Sequence, residues 1–431
     1  MIQNLDVMLW GQKAGVLVAS KSGYDTRICF YFDPEFIKTG YDIAPLKAPI
    51  SGPLARRGLP IYPESDRLYG GLPSFIADSL PDHWGNIVFK EWAKSRRISM
   101  RNLSPLDRLA YIGSRGMGAL EFVPATAPES ECPFKVEISE LSQLAGMAVK
   151  EAENFHGTLS PDFLIESLFR VGTSAGGRRP KAVINVNPES GECYSGQVTT
   201  PREGFVPMII KFDEHSDIPT TRIEYSYYLM ARAAGIEMKM CRLVDCGRET
   251  HFLTERFDRN GSEKIHTQTL AAISPGATSY ESMMEAAHRC RIGHDGIDQL
   301  FLRMVMNVVG GNVDDHSKNF SFMMDRTGAW TLAPAYDYTF AIDPDAPHYV
   351  NRHSLSINGK TGNIIREDLL TVARMYDVKG AKGLIDRCAS AANNYRLYGL
   401  EAGLDDNLIN RIEDRIKHNL KAILPAPLNI K

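Results

Sequence analysis

The run Gly310-Gly311-Asn312-Val313-Asp314-Asp315-His316-Ser317-Lys318-Asn319-Phe320-Ser321 carries the densest set of chemically useful side chains. Asp314 stands five residues before Asn319, in a glycine-led loop between an apolar helix pattern and an apolar strand pattern. Phosphoryl-transfer enzymes of the protein-kinase type use this spacing: the acid accepts the proton of the attacking hydroxyl, and the amide holds a Mg²⁺. Asp315 is the second candidate base, but Asp314 has the right offset to Asn319. Two consecutive acids also suit a solvated turn. Against that, Asn312, Asp314, His316, Lys318 and Asn319 crowd beside the apolar run Phe320–Met324. A strand that apolar is expected to be buried, which puts the loop at its mouth, where sites form.

Phosphoryl transfer also needs donors and cations around the phosphates, and a metal. The loop Gly172-Thr173-Ser174-Ala175-Gly176-Gly177-Arg178-Arg179-Pro180-Lys181 offers backbone N–H groups and the charges of Arg178 and Lys181. Taken alone it equally fits an ordinary surface loop. Lys211 ends the apolar run Met208–Phe212, and Glu224 follows thirteen residues later in a helix pattern. A strand lysine paired with a helix glutamate orients α- and β-phosphates; singly, each reads as a solvated side chain. Glu255-Arg256-Phe257 follows the strand pattern Phe252–Thr254, where extended backbone suits an adenine edge or a plain charged strand end. Asp337, within Leu332-Ala333-Pro334-Ala335-Tyr336-Asp337-Tyr338, is the second metal candidate. With Asn319 and phosphate it makes the all-oxygen set a hard cation prefers.

These residues need elements to hold them. The 431 residues, 43% hydrophobic and 23% charged, describe an ordinary globular chain long enough for two or three domains. Residues 1–125 alternate short apolar runs with turns and then turn helical near Trp84–Ala93, so a β-rich subdomain is expected there. Pro124, Pro128 and Pro133 mark a linker. Residues 126–260 hold a helix ending near Arg170, the glycine loop, strands Ala182–Val186 and Val206–Phe212, and a helix from Thr221 to Ala234. Residues 261–431 are expected to be mostly helical around the Asp314 loop, with a last amphipathic helix from Leu408 to Leu420. The formal charge of -3 makes no global case for nucleic-acid binding. No apolar run nears the ~18 residues of a membrane span, and no secretory leader pattern is present. The seven cysteines lack zinc spacing, so reduced thiols in a cytoplasmic protein are expected.

Together these residues resemble the HipA-like serine/threonine kinases, toxins of bacterial toxin–antitoxin pairs. The resemblance rests on Ser174 with the loop to Lys181, Ile209-Ile210-Lys211, Glu224, Glu255-Arg256-Phe257-Asp258-Arg259, Asn312 to Ser321, and Pro334-Ala335-Tyr336-Asp337. In the N-terminal part it rests on Gly71-Leu72-Pro73-Ser74-Phe75 and Leu80-Pro81-Asp82. It implies an α+β, two-lobed kinase-like fold of HipA type, related to lipid and protein kinases, with a β-rich N-terminal subdomain and a mostly helical C-terminal lobe. It implies ATP and Mg²⁺ as cofactors, Asp314 as base, and Asn319 and Asp337 as metal ligands. Gly176, Gly177, Arg178, Arg179, Pro180, Lys181, Lys211, Glu255, Arg256, Phe257, His316, Ser317, Lys318, Asn319, Tyr336 and Asp337 would line the nucleotide, with Glu224 as supporting ion-pair partner. Ser174 matches the family's autophosphorylated serine. Phosphate there adds about two negative charges, which would repel ATP and silence the enzyme.

The resemblance also implies a helix-turn-helix antitoxin, HipB-like, that carries the complex to operator DNA. It implies a protein substrate, glutamyl-tRNA synthetase or another translation protein. The chain departs from the family in Arg178-Arg179-Pro180, where small or acidic residues are commoner, and the proline stiffens the loop. Three rival readings stand beside it: a catalytically weak protein that binds antitoxin and DNA complex, a lipid or small-molecule kinase, and a serine hydrolase. The last uses Gly172-Thr173-Ser174-Ala175-Gly176 as a nucleophile elbow, a motif that needs a strand before it and a helix after. The patterns here run the other way.

Overall fold

The computed structural model describes residues 2–22, 25–100, 103–126, 135–153, 179–196, 203–214, 217–342 and 351–424. The chain divides into two compact units. One comprises Met1–Glu214, Val244–Gln268 and Met323–Ala329; the other comprises His215–Leu243, Thr269–Phe322 and Trp330–Lys431. Ser174, Gly176, Gly177 and Arg178, the helix expected to end near Arg170, and residues 127–133 of the expected linker lie outside the described residues.

In the first unit, apolar residues at period two build β1 (Asn4–Leu9), β2 (Gln12–Ser22) and β3 (Asp25–Phe32). Leu5, Val7 and Leu9 are buried along one face of β1. β4 (Leu120–Val123) pairs antiparallel with β1, giving the order β3-β2-β1-β4. Helix α1 (His83–Ser95) starts at Asp82, whose carboxylate accepts from the Gly85 amide at 2.6 Å. Helix α2 (Pro105–Ile112) opens with a capping box between Ser104 and Asp107 and a proline in its first turn.

A second sheet holds β5 (Lys181–Val186), β6 (Cys193–Ser195), β7 (Val206–Lys211), β8 (Cys241–Cys246) and β9 (Glu249–Glu255), in the order β6-β5-β7-β9-β8. β5 lies between two neighbours and is buried at every residue, which explains why Ala182, Val183, Ile184 and Val186 are apolar on both faces, with Asn185 the polar exception. Trp84 and Val88 of α1 pack with Leu141, Leu144 and Ala145 of α3 (Ile138–Glu153) against Ile184, Met208 and Ile210 of the sheet.

Beyond β9 a short hairpin, β10 (Arg259–Asn260) and β11 (Glu263–Lys264), surrounds a buried ion cluster. Asp258 accepts from Arg256 Nε (2.8 Å) and Nη2 (2.7 Å), from Arg259 Nη1 (2.6 Å) and from the Gly118 amide (2.8 Å). Arg259 Nη1 and Nη2 also donate to the Gly118 and Gly116 carbonyls, each at 3.1 Å. Burial alone would raise the Asp258 carboxyl, yet the two guanidiniums hold it well below the usual carboxylate range. The loop Gly116–Gly118 is thereby fastened to the end of β9.

In the second unit, α4 (Thr220–Ala233), α5 (Tyr280–Arg289) and α6 (His294–Gly310) are joined by α7 (Arg366–Met375), α8 (Ala381–Asn393), α9 (Tyr395–Glu401) and α10 (Asp406–Ile423). α10 buries Ile409, Ile412, Ile416, Leu420 and Ile423, an apolar stripe at helical spacing. α6 is buried continuously from Leu300 to Gly310, and the two polar residues in that stretch, Arg303 and Asn307, are hydrogen-bonded. Its two final glycines act differently. A Cβ on Gly310 would stand 3.2 Å from Tyr227 Cε1 and 3.3 Å from Met230 Cε, so α4 approaches there. Gly311 has φ +71° and ends the helix, its amide donating to the Asn307 carbonyl.

Three short strands, β12 (His266–Thr269), β13 (Ser321–Met324) and β14 (Trp330–Leu332), form a sheet in that order. The α+β expectation holds, with β-rich N-terminal and mostly helical C-terminal parts. The strands read at 182–186 and 206–212 and the helix read at 221–234 fall within one residue of their expected ends, and the last helix within three. Among the described residues no helix is long and apolar enough to cross a membrane.

The ion cluster generates one prediction. Asp258→Ala leaves Arg256 and Arg259 buried together without their counter-charge. The expected cost is about 3–5 kcal/mol, read as a shift of the urea unfolding midpoint.

Candidate functional site

Helix α6 delivers the chain into the loop at Asn312, and β13 takes it away from Ser321. Between them the two consecutive acids part company. The Asp314 side chain is 63% exposed, with Oδ1 3.7 Å from His316 Nε2. The Asp315 side chain is 0% exposed and saturated by donors. Its Oδ2 accepts from the Tyr280 hydroxyl at 2.6 Å and lies 2.8 Å from His353 Nδ1; its Oδ1 accepts from the Ser354 amide at 2.7 Å. A hydrogen bond from imidazole to a carboxylate requires the proton on Nδ1. Asp315 is therefore committed to hydrogen bonds within the fold, while the Asp314 side chain faces solvent.

The rest of the loop is tightly tied. Asn307 Nδ2 donates to the Tyr280 hydroxyl at 2.8 Å, and Asn312 Nδ2 donates to Asn307 Oδ1 at 3.0 Å. Residues Ser317–Asn319 form a single 3₁₀ turn, closed by the Asn319 amide on the His316 carbonyl at 2.8 Å. Asn319 Nδ2 donates to the Asp314 carbonyl at 2.7 Å. That bond fixes which end of the amide is which and leaves Oδ1, a hard oxygen, on the other side.

Asp337 reaches this loop through its neighbour. The Tyr336 hydroxyl donates to the Lys318 carbonyl at 2.8 Å and lies 2.6 Å from Ser321 Oγ. The turn bearing Asp337 is thus held against the residues that flank Asn319. Asp337 itself adopts φ +56°, a left-handed conformation that Asp tolerates better than most residues and that recurs at functional sites. Behind the turn, buried Arg303 donates from Nη2 to the Ala333 carbonyl at 2.7 Å. Asp314, Asn319 and Asp337 therefore stand on two loops bonded to each other within one unit. Among the described residues no three His, Cys, Asp or Glu side chains gather as a metal cluster. One carboxylate and one amide oxygen fit Mg²⁺ instead, since that ion usually takes few protein ligands and completes its shell with water and phosphate.

Of the remaining expected residues that the structure describes, Arg179, Pro180, Lys181, Lys211, Glu255, Arg256 and Phe257 lie in the first unit, and Glu224, His316, Ser317, Lys318 and Tyr336 in the second. Lys181 and Lys211 are direct cross-strand partners in the β5–β7 pairing, so their side chains share a face of the sheet. Lys211 Nζ is 5.7 Å from the Phe252 ring centroid. Lys181 is buried, with Nζ 4.0 Å from Asp82 Oδ2, while its carbonyl accepts from Trp84 Nε1 at 2.8 Å. The N-terminal motif Leu80-Pro81-Asp82 therefore caps α1 and faces the loop lysine. Arg179 and Pro180 lead into β5; Ser174 to Arg178 are not described. Glu255 pairs with Met208 at the end of β9. Arg256 has spent its guanidinium on Asp258 and its amide on the Pro207 carbonyl at 2.9 Å, which leaves its carbonyl. Glu224 is buried in α4 rather than solvated.

Sequence reading missed Tyr280, Asn307, His353 and Ser354, which lie up to forty residues from Asp314 and carry no motif. Only Asn312, inside the polar run, signalled the network.

Residues 5–123 match the family model described as the HipA N-terminal domain, and residues 173–395 match the HipA-like C-terminal domain. Among solved structures, the chain resembles one in the toxin–antitoxin HipA, HipB and operator DNA complex of Shewanella oneidensis MR-1. The identity is 18%, with 97% of this chain and 96% of that chain covered and a TM-score of 0.66. The proinflammatory kinase CtkA of Helicobacter pylori matches at 14% identity over 52% of this chain and 89% of that one, with a TM-score of 0.38.

Proposed function

The chain belongs to the HipA-like family, and on that premise we propose that it is a Mg²⁺–ATP serine/threonine protein kinase, the toxin of a toxin–antitoxin pair. The observation that carries the reading is the division of labour between neighbouring acids: Asp314 is exposed beside an asparagine bonded to its own carbonyl, and Asp315 is buried as a structural group.

In the proposed reaction the Asp314 carboxylate accepts the proton of a serine or threonine hydroxyl as its oxygen attacks the γ-phosphorus; the bond from that phosphorus to the β–γ bridging oxygen breaks, and ADP leaves with the electron pair. Asn319 Oδ1 and the Asp337 carboxylate would hold Mg²⁺, which would supply positive charge to offset that of the phosphate oxygens. Lys211 contacts phosphate, supported by Glu224. Gly176 to Lys181 cover the phosphates, and backbone at Glu255 to Phe257 holds adenine. His316, Ser317, Lys318 and Tyr336 complete the nucleotide-facing set. Ser174 is the site of self-phosphorylation and self-inhibition. The partner is a HipB-like helix-turn-helix antitoxin, through which the chain joins operator DNA; the full-length likeness to a chain of a HipA, HipB and operator complex supports this. The substrate is a translation protein such as glutamyl-tRNA synthetase, and the compartment is the cytoplasm.

Asp314→Asn is expected to keep the fold and reduce transfer of labelled phosphate from ATP by several orders of magnitude, on the scale of about 10³. Wild-type rates from that variant refute the base assignment. Label appearing on lipid alone favours a lipid kinase. Asp337→Ala should abolish the Mg²⁺-dependent part of ATP binding in calorimetry, leaving weak metal-independent affinity. Ser174→Ala should transfer phosphate at the wild-type initial rate without the later decline of the wild-type time course; the same decline in the variant removes Ser174 from self-inhibition.

A further inference from the structure

The Asp314 side chain is 63% exposed, with Oδ1 3.7 Å from His316 Nε2, and it is carried by the backbone of the loop. That backbone is held on both sides. The Val313 carbonyl accepts from Ser354 Oγ at 3.3 Å, and the Asp314 carbonyl accepts from Asn319 Nδ2 at 2.7 Å. The Asp315 carboxylate is gripped by Tyr280, His353 and Ser354. Two of these residues, His353 and Ser354, belong to the segment that follows Asp337, and Tyr280 is the first residue of α5. Three separate stretches thus meet on one carboxylate, all within the second unit.

We propose that Asp315 is a positioning residue for phosphoryl transfer: by tying His353 and Ser354 to the loop, it fixes where the Asp314 carboxylate points. This rests on the kinase reading above. The carboxylate is suited to the task because all its contacts are donors: two side-chain donors and one amide, on both oxygens. An apolar replacement leaves all three donors without this acceptor, two of them on the buried residues Tyr280 and His353, and loosens the loop. A base displaced by about 1 Å loses about 10²-fold in rate, whereas the nucleotide ligands Asn319 and Asp337 keep their own tie through Tyr336.

The test uses the full chain and two readouts. One is the kcat and ATP KM for transfer of label from ATP onto the chain itself. The other is hydrogen exchange in peptides covering 313–321 and 351–356. For Asp315→Ala we expect kcat down about 30- to 100-fold, ATP KM within about threefold, and faster exchange in both peptides. Asp315→Asn, which keeps an acceptor for the Ser354 amide, should recover part of the lost rate. Should Asp315→Ala fail to fold, His353→Ala removes one donor and leaves the acceptor in place; it should still slow transfer and speed exchange at 351–356. Unchanged exchange overturns the proposal. So does faster exchange with wild-type kcat, and so does a parallel loss of kcat and ATP affinity, which marks a merely structural group. A wild-type chain that transfers no phosphate overturns the kinase reading and the catalytic half of the proposal, while the exchange readout still decides the tie.

Discussion

A carboxylate taken out of water must be met by donors or it will not stay charged. Asp315 meets that requirement with Tyr280, His353 and the Ser354 amide, and much of the second unit near the loop is organised by it. Tyr280 is oriented in turn by Asn307, and Asn307 by Asn312. The chain of bonds runs from inside α6, through the start of α5, into the loop. Its consequence is that the preceding residue, Asp314, is left facing solvent with its backbone immobilised. One acid bears the structural demand and its neighbour stays exposed.

The same logic recurs in the first unit with opposite emphasis. Asp258 is buried between two arginines, and its role is to join the loop Gly116–Gly118 to the segment after β9. Arg256, at a position associated with nucleotide contact by resemblance, is committed to that cluster through its side chain. What the segment can still offer a ligand is backbone. Lys181 shows a similar constraint: its head lies toward Asp82, and its carbonyl is held by Trp84, so the start of β5 is clamped by the helix that Asp82 caps. The N-terminal motif is thus read best as a support for the strand that follows the glycine loop.

The pattern of elements was legible because local physics dominates it. β5 and the second half of α6 are mostly apolar stretches whose lengths separate strand from helix, and α10 repeats its apolar residues at helical spacing. Gly311 marks a helix end because it must adopt a positive φ. Glu224 was less legible: on its helix pattern it reads as solvated, and its burial comes from the neighbours of α4.

The site divides along the same line. An offset of five residues keeps Asp314 and Asn319 in one loop, where the Asn319 amide bonds the Asp314 carbonyl, and Asp337 was a candidate from its place in the chain. Which of two adjacent acids is exposed is a different matter. It depends on Tyr280 and on His353 with Ser354, brought from opposite directions along the chain, and no spacing rule links them. Sequence by itself determined the chemistry on offer, since residue type and short-range spacing set it. Tertiary structure alone decided which carboxylate is solvated, because solvation is a property of neighbours that only the folded chain assembles.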